Sequence, residues 1–312
     1  MAYLLEEKEG VGEGIHRIAE EELHAALGQL RDGLAENPVT AVHEARKSLK
    51  KERALLRLVR ESIPKRVFRE ENVRLREAGR TLSSLRDAQV AVQTVDGLAD
   101  RFAGQLSEAA FKHVRDAVGT GAPAADGDAP LQAAAAATAA EVEQAREALD
   151  RWAGKADGWE AIEPGLARSY GDGRDAFDLA RRDPTDEHLH EWRKRVKDLW
   201  YHQRVLNPLW SGMMAAQADE LDELSDLLGD DQDLANLGAA LRSDESVRAL
   251  IATDLDPLLE LVGRRRKELV DAALALGLRV YAERPKAYVR RHRAYARAWS
   301  KDARLPRAAS SA

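Results

Sequence analysis

Residues 43–50 have the sequence HEARKSLK, and residues 190–197 have the sequence HEWRKRVK. The two stretches are 147 positions apart, and the same offset relates Arg57 to Arg204. A weaker match pairs residues 82–87 (LSSLRD) with residues 228–233 (LGDDQD), one position out of step. Similarity at one fixed spacing marks a repeated structural unit, so the sequence predicts an internal duplication.

Both stretches have the periodicity of an amphipathic α-helix. At ~100° per residue, the basic side chains of the first copy fall within an arc of about 80°. They form the first basic stripe: His43, Arg46, Lys50, Arg53 and Arg57. The second basic stripe repeats the pattern with His190, Arg193, Lys197 and Arg204. Apolar residues occupy a neighbouring arc in each copy, so we expect the stripes to flank the core, at the edge of a helical bundle or at a seam between two bundles.

Helical periodicity extends over nearly the whole chain, and no segment has the pattern of a β-strand. The low aromatic content of 5% agrees with an all-α fold. Glycine and proline predict where helices end. We expect breaks at Asn37–Pro38, Pro64, 83–87, 119–130, 154–158, Gly171–Gly173 and Asp183–Pro184. Later helices are predicted over residues 187–206, 211–228, 234–241, 254–276 and 285–299.

The composition excludes several classes of protein. The chain has 312 residues, of which 44% are hydrophobic and 33% are charged, enough of each for a globular interior under a charged surface. It contains no cysteine, which excludes disulfides, thiolate metal sites and cysteine nucleophiles. No apolar run approaches the ~20 residues that span a bilayer, and the acidic start lacks the basic head of a signal peptide. We therefore expect a cytoplasmic protein with no membrane partner.

The net charge of −6 hides a strong segregation of charge along the chain. Residues 41–90 contain fourteen Lys/Arg and seven Asp/Glu, and residues 264–297 contain eleven and three. Residues 219–245 contain one basic residue and ten acidic ones. Because the surface field follows local charge, an anionic polymer remains a candidate ligand. A weaker hypothesis is that the acidic segment shields the rest of the surface from nonspecific polyanions.

A row of cations along a helix suits a linear polyanion. Arg and Lys both bind phosphate oxygens, and like charges three or four residues apart repel unless an anion meets them. The chain has no glycine-rich phosphate loop and no aromatics interleaved with the stripes for base stacking, which favours phosphate without bases. The competing interpretation is a solvated helix face, neutralised by nearby acids. These acids are Glu44, Glu52, Glu191 and Asp198.

No metal or catalytic site emerges from the sequence. His188 and His190 lie two positions apart, so on a helix they point ~200° apart and do not share an ion. Asp230, Asp231 and Asp233 lack the calcium-loop pattern, although a divalent cation there stays open as an alternative. Asp87 and Asp233 are predicted to cap helices or to pair with basic side chains.

The ordered motifs resemble those of the CHAD domain, the conserved histidine α-helical domain. They are the two His-x-x-Arg helices, residues 75–87 (LREAGRTLSSLRD) and residues 275–288 (ALGLRVYAERPKAY). The resemblance runs from about Gly14 to Trp299. It implies two four-helix bundles related by pseudo-twofold symmetry and a basic groove or pore that binds inorganic polyphosphate, in some members on polyphosphate granules.

The resemblance also implies the binding residues. In the first half they are His43, Arg46, Lys47, Lys50, Arg53, Arg57, Arg76, Arg80 and Arg86. In the second half they are His190, Arg193, Lys194, Lys197, Arg204, Lys286, Arg290 and Arg291. Two departures matter: Trp200 stands where the first copy has Arg53, and the partner of the 76–86 segment is acidic. We therefore expect a lopsided site with less charge from the second half.

The sequence thus predicts a non-enzymatic polyphosphate-binding protein without cofactor or metal. We expect an N-terminal tail at 1–10, bundle halves at 11–155 and 156–300, and a disordered tail at 301–312. Residues 6–9 (EEKE) do not fit the signature of the triphosphate tunnel domain that often precedes CHAD domains, so a stand-alone module is expected. Two alternatives remain open: a nucleic-acid-binding helical protein and a metal-dependent phosphoanhydride hydrolase.

Overall fold

The computed structural model describes residues 3–7, 9–82, 87–120, 129–154, 158–243, 245, 248, 251 and 253–302. Within these ranges the chain forms eleven helices and no β-strand, which confirms the all-α prediction. The first six are α1 (Val11–Gly28), α2 (Pro38–Leu58), α3 (Lys65–Thr81), α4 (Asp87–Arg101), α5 (Glu108–Thr120) and α6 (Ala129–Glu147). The others are α7 (Glu163–Arg182), α8 (Asp186–Val205), α9 (Ser211–Ser243), α10 (Leu255–Val280) and α11 (Pro285–Asp302).

Most helix ends lie near the predicted breaks because local sequence defines them. Asn37 caps α2 by accepting a hydrogen bond from the Thr40 backbone N–H, and Pro38 occupies the first turn, where it loses no helical hydrogen bond. Thr185 caps α8 in the same way through His188. The predicted loop at 119–130 lies mostly outside the described residues, as does most of the predicted disordered tail at 301–312, of which Lys301 and Asp302 belong to α11.

Two predicted breaks were wrong. Gly171 and Gly173 lie inside α7, and the predicted separation of 211–228 from 234–241 does not exist, because α9 is continuous. A Cβ atom on Gly173 would lie 2.6 Å from the Tyr281 hydroxyl, so this glycine serves close packing of α7 on the end of α10. In α9, buried leucines from Leu221 to Leu241 hold the helix against its neighbours through the acidic stretch.

Contacts link α1, α2, α3 and α6 with one another (the first group) and α7, α8, α9 and α10 with one another (the second group), while α4, α5 and α11 pack outside these sets. A single hydrophobic core runs through both groups, with Leu23 and Leu56 from the first and Trp192 and Leu224 from the second. The groups meet where α2 contacts α7 and α8. There, a Cβ atom on Gly165 of α7 would lie 1.8 Å from the Leu58 carbonyl oxygen, so only glycine allows this approach.

A second apolar cluster joins segments that the sequence assigned to different halves. Val95 of α4 and Phe111 of α5 pack with Leu237 of α9 and Leu258 of α10. The α4–α5 hairpin therefore rests on helices of the second group. No helix of the described chain is long and apolar enough to cross a membrane.

The segment assigned to an N-terminal tail is packed against the body of the protein. Tyr3 and Leu5 are buried in the main core. The Leu5 backbone N–H donates to the Val205 carbonyl at the end of α8, and the Tyr3 hydroxyl donates to the Lys51 carbonyl of α2. This segment therefore links the two helices that carry the basic stripes.

Candidate functional site

The helices that carry the two basic stripes cross each other directly. His202 of α8 donates from Nε2 to the Ala54 carbonyl of α2 at 2.8 Å, and Arg57 of α2 donates to Asp198 of α8. Contact positions rise along α2 as they fall along α8, so the helices run antiparallel where they cross. Burial lowers the pKa of His202, which keeps the ring neutral and able to serve as a single donor to this carbonyl.

The first stripe contains a cluster of arginines at the crossing. Arg53 lies beside Arg57 and Arg76, with Asp198 and Glu77 as the nearby acids. Burial and the repulsion from Arg57 lower the pKa of Arg53 to about 10. Its Nε atom is buried without a hydrogen-bond partner. A buried donor without a partner costs about 1–3 kcal/mol, so this guanidinium is well suited to receive an anion.

The other members of the first stripe, together with the neighbouring Lys47, lie toward the start of α2. Arg46 donates to the Leu82 carbonyl at 3.3 Å, His43 lies 3.8 Å from Glu44, and Lys47 pairs with Glu44 at 3.0 Å. Lys50 is exposed. Glu44 thus offsets part of the charge at this end, as the solvated-face interpretation expected of it.

The second stripe faces acidic side chains of α9. Lys197 lies 3.5 Å from Asp222, and Asp226 is also close. Burial nevertheless lowers the pKa of Lys197, and Arg193 lowers it further. Burial also raises the pKa of Asp230, and the positive charge of Arg193 opposes that rise.

The flanking residues of the second stripe have local partners. His190 has a lowered pKa because burial and the neighbouring Lys194 and Arg193 disfavour its charged form. Lys194 itself pairs with Glu191. The second stripe therefore carries its positive charge next to fixed negative charge.

Arg193 and Arg46, which are equivalent in the repeat, contact the chain at positions that the same offset relates. Arg46 touches the chain at Leu82, and the Arg193 guanidinium packs on Gly229, where an added Cβ atom would lie 3.0 Å from Nη2. Residues 82 and 229 are 147 positions apart, the same offset as the arginines. Like Arg53, Arg193 has a buried Nε atom without a partner.

Aromatic rings support the cations at the far end of the second stripe. The Lys197 ammonium lies 4.2 Å from the centre of the Trp200 ring, and the Arg204 guanidinium lies 4.9 Å from the same ring. Tyr3 lies between Lys51 and Arg204, 5.2 and 5.7 Å from their charged groups. Trp200, counted in the sequence as a lost charge, orients two neighbouring charges instead. The sequence pattern did not indicate that Tyr3 contacts these cations, because the contact depends on how the N-terminal segment folds back onto the helices.

The remaining predicted binding residues are Arg76, already placed beside Arg53 at the crossing, and others that lie on α3 and α11 or outside the described chain. Arg76 and Arg80 each pair with Glu77, at 3.0 and 2.9 Å. Arg86 lies outside the described residues. Arg291 forms an ion pair with Glu283 at 2.6 Å, so its contact within the protein is structural. Lys286 and Arg290 are exposed on α11.

The acidic residues considered for a metal do not gather into a site. Asp231 is nearly buried and accepts from Arg266 at 2.8 Å, and within the described ranges no three His, Asp or Glu side chains are placed to hold an ion. Asp233 lies inside α9 and does not cap a helix, so only the other half of the prediction, pairing with a basic side chain, stays open. His188 contacts the Asp183 carbonyl at 2.7 Å and has a local role at the start of α8.

Comparison with known families gives one match. The family model described as CHAD domain matches residues 17–242, more than half of the chain. The match includes both basic stripes and ends in α9, so α10 and α11, which carry the late motif at 275–288, lie beyond it. No curated protein matches the sequence.

Proposed function

The chain belongs to the CHAD domain family, and from that premise we propose that it binds inorganic polyphosphate where α2 crosses α8. The observation that carries the proposal is the cluster of Arg53, Arg57 and Arg76 at this crossing. Arg53 of α2 and Arg193 of α8 each have a buried Nε donor without a partner. Phosphate oxygens would satisfy these donors and relieve the repulsion between the guanidinium groups.

We propose that the two stripes form one continuous groove. The helices run antiparallel and touch at Ala54–His202 and Arg57–Asp198, so each stripe begins at an opposite end and reaches the same crossing. The matching contacts of Arg46 and Arg193 support a pseudo-twofold relation between the two groups of helices. The bundle boundaries predicted from the sequence remain part of this proposal.

The binding would be multivalent. Each phosphate meets one or two cations, and each bound phosphate holds its neighbours close to the next cation, so longer chains bind more tightly. Release of counterions makes the affinity fall as salt rises. Association with polyphosphate granules in the cytoplasm is the cellular setting that this proposal predicts.

We further propose that the protein binds polyphosphate without hydrolysing it. The acids near the second stripe are already engaged: Asp222 lies beside Lys197, and Asp231 accepts from Arg266. Release of phosphate from polyphosphate in the presence of magnesium or manganese, and its loss in Asp233→Asn, would contradict this part of the proposal.

The test is calorimetric titration with long-chain polyphosphate at about 50 and 200 mM salt, conditions over which multivalent phosphate contacts weaken strongly. The stripe variant removes four cations: Arg46→Ala, Lys50→Ala, Arg193→Ala and Lys197→Ala. We expect wild type to bind with strong salt dependence and the stripe variant to lose affinity by more than about 100-fold, since four phosphate contacts disappear.

A control variant removes the same number of charges elsewhere: Arg31→Ala, Arg66→Ala, Lys267→Ala and Arg279→Ala. These side chains are at least half exposed. We expect it to bind nearly as well as wild type. Equal losses in both variants would reduce the site to nonspecific charge attraction, and no binding by folded wild type would refute the proposal. Displacement by nucleic acid at equal phosphate concentration would favour a nucleic-acid-binding protein.

A further inference from the structure

Helix α11 carries a third row of cations, on a different helix from the stripes of α2 and α8. Its members are Lys286, Arg290, Arg293, Arg297 and Lys301. At ~100° per residue they fall within an arc of about 80°, and at ~1.5 Å per residue the row extends over about 22 Å. The arc is the outer face of the helix: four of the five side chains are exposed, and Arg293 is partly so.

This row is largely without counter-charge. Arg293 pairs with Glu163 at the start of α7. Within the part of the chain that the structure describes, the other four members of the row form no ion pair. Most other arginines and lysines of this acidic protein pair with a carboxylate. Like charges at this spacing repel, so the row is mildly unfavourable until an anion neutralises it.

The row lines an open groove. The groove has a volume of about 520 Å³. Its lining residues all belong to α11: Arg290, Arg293, Ala294, Arg297, Ala298 and Lys301. The short side chains of Ala294 and Ala298 lie next to the cationic row and leave room for a thin chain along the helix axis.

The apolar face of α11 is already used. Tyr288, Val289 and Ala296 are buried in the main core, and His292 is buried beside Gln203 of α8. A helix that binds a membrane surface needs an exposed apolar face to insert, and α11 has none left for this purpose. The exposed side also offers no aromatic ring for base stacking, which disfavours single-stranded nucleic acid.

We propose that the outer face of α11 is a second polyphosphate-binding surface, separate from the crossing of α2 and α8. This inference rests on the proposed function and extends it. Lys286 and Arg290, assigned by resemblance to the first site, belong instead to this row with Arg297 and Lys301. A chain long enough to occupy both surfaces gains from a second, intramolecular contact, so the α11 row sets the preference for long chains.

The experiment uses the full chain and a row variant. The row variant is Lys286→Gln, Arg290→Gln, Arg297→Gln and Lys301→Gln, which leaves the Arg293–Glu163 pair in place. It is compared with wild type, the stripe variant and the control variant by calorimetry. The ligands are polyphosphate of about 10 units and polyphosphate of several hundred units, the two regimes of monovalent and bridging binding. Circular dichroism checks that each variant keeps its helicity.

We expect short polyphosphate to bind wild type at two sites and the row variant at one. Long polyphosphate should bind the row variant about tenfold more weakly than wild type, because the bridging contact is lost. The control variant should keep both sites. The stripe variant should keep the α11 site, which appears as the residual binding of short chains.

The possible failures are distinguishable. If the row variant matches wild type with both ligands while the stripe variant loses all binding, this inference is wrong and the first site stands. If the row variant alone loses binding, the α11 surface stands and the crossing is not the site. No binding by wild type refutes both. Binding of wild type to vesicles of phosphatidylserine and phosphatidylcholine, lost only in the row variant with polyphosphate binding unchanged, would identify α11 as a lipid surface and overturn the inference.

Discussion

The two basic stripes have matching sequences and different surroundings. In the stripe of α2, Arg53 lies beside Arg76 at the crossing and has a buried Nε donor without a partner. The stripe of α8 instead faces Asp222, Asp226 and Asp230 of α9. Similar rows of cations therefore lie in unequal electrostatic surroundings. The charge that a ligand meets depends on the neighbouring helix as much as on the helix that carries the stripe.

The same asymmetry appears at single repeat positions. Arg57 pairs with Asp198, whereas its equivalent Arg204 stacks on Tyr3 and Trp200. On the buried side, Glu52 corresponds to Leu199. The two similar helices therefore have different partners. Four predictions test how far this difference determines stability and binding.

The largest expected effect separates Arg57 from Arg204. Asp198 is nearly buried, so Arg57→Ala leaves its carboxylate without its cation and should lower the free energy of unfolding by about 2–3 kcal/mol. Arg204→Ala removes only aromatic contacts and should cost about 0.5–1 kcal/mol. Urea unfolding measures both values. The double variant Arg57→Ala/Asp198→Ala should recover part of the loss, and equal costs for the two arginines would contradict the comparison.

Splitting the stripe variant into its halves tests the charge difference directly. Arg46→Ala/Lys50→Ala should weaken polyphosphate binding about 30-fold, because these cations continue into the cluster of Arg53, Arg57 and Arg76 at the crossing. The equivalent change Arg193→Ala/Lys197→Ala should weaken it only about threefold, since nearby carboxylates already offset these charges. Calorimetry under one set of salt conditions compares the two. If Arg193→Ala/Lys197→Ala lost more affinity than Arg46→Ala/Lys50→Ala, the second stripe would be the stronger half of the site.

The buried side of the first stripe predicts a pH dependence. Burial, together with Glu22 and Glu71, raises the pKa of Glu52 well above its usual value. The native state therefore binds this proton more tightly than the unfolded chain, and stability falls as pH rises from the unfolded pKa toward the folded one. Glu52→Gln should raise the free energy of unfolding by about 1–2 kcal/mol at pH 8 and change it little at pH 4.

Urea midpoints of wild type and Glu52→Gln between pH 4 and pH 8 check this prediction. Leu199→Met, a volume-conserving change at the repeat-equivalent position, introduces no titrating group and serves as the control. Its difference from wild type should be independent of pH. A Glu52→Gln variant that differs from wild type by the same amount at both ends of the range would contradict the raised pKa, because a group with equal pKa values in the folded and unfolded states contributes no pH dependence.

The smallest effect removes the acids that face the second stripe. Asp222→Asn/Asp226→Asn should strengthen polyphosphate binding about threefold to fivefold at pH 7, because Lys197 and Arg193 then meet the ligand without competition. The control Glu220→Gln/Glu223→Gln removes the same charge from other faces of α9. An equal gain in the control would mean that net charge alone, and not the contact with the stripe, decides the affinity.

Local patterns predicted the elements that local forces define. Each cap lies next to the helix that it begins: Asn37 precedes α2 and Thr185 precedes α8. Helical periodicity is equally local, so the predicted bounds of both helices lie close to the observed ones. The predicted break at Gly171–Gly173 was wrong because glycine was interpreted as a helix breaker. Gly173 instead allows close packing against Tyr281, which comes from a distant part of the chain.

The site was predictable in its residue types and less so in its arrangement. The stripes, the expected lopsided charge and the family resemblance all come from the sequence. Nothing in the sequence pairs Arg57 with Asp198, or separates Arg291, held by Glu283, from the exposed row on the same helix. These contacts join residues that no helical period connects.

The sequence by itself determined that this chain is helical and that two of its helices carry matching rows of cations, because helical propensity and side-chain phase are local properties. Only the tertiary structure decided which rows meet and which anions oppose them. The crossing brings Arg57 against Asp198, and the packing of α9 sets Asp222 beside Lys197. The physical reason is that electrostatic energy depends on distances in space, and these distances are fixed by how apolar faces bury one another across the whole chain.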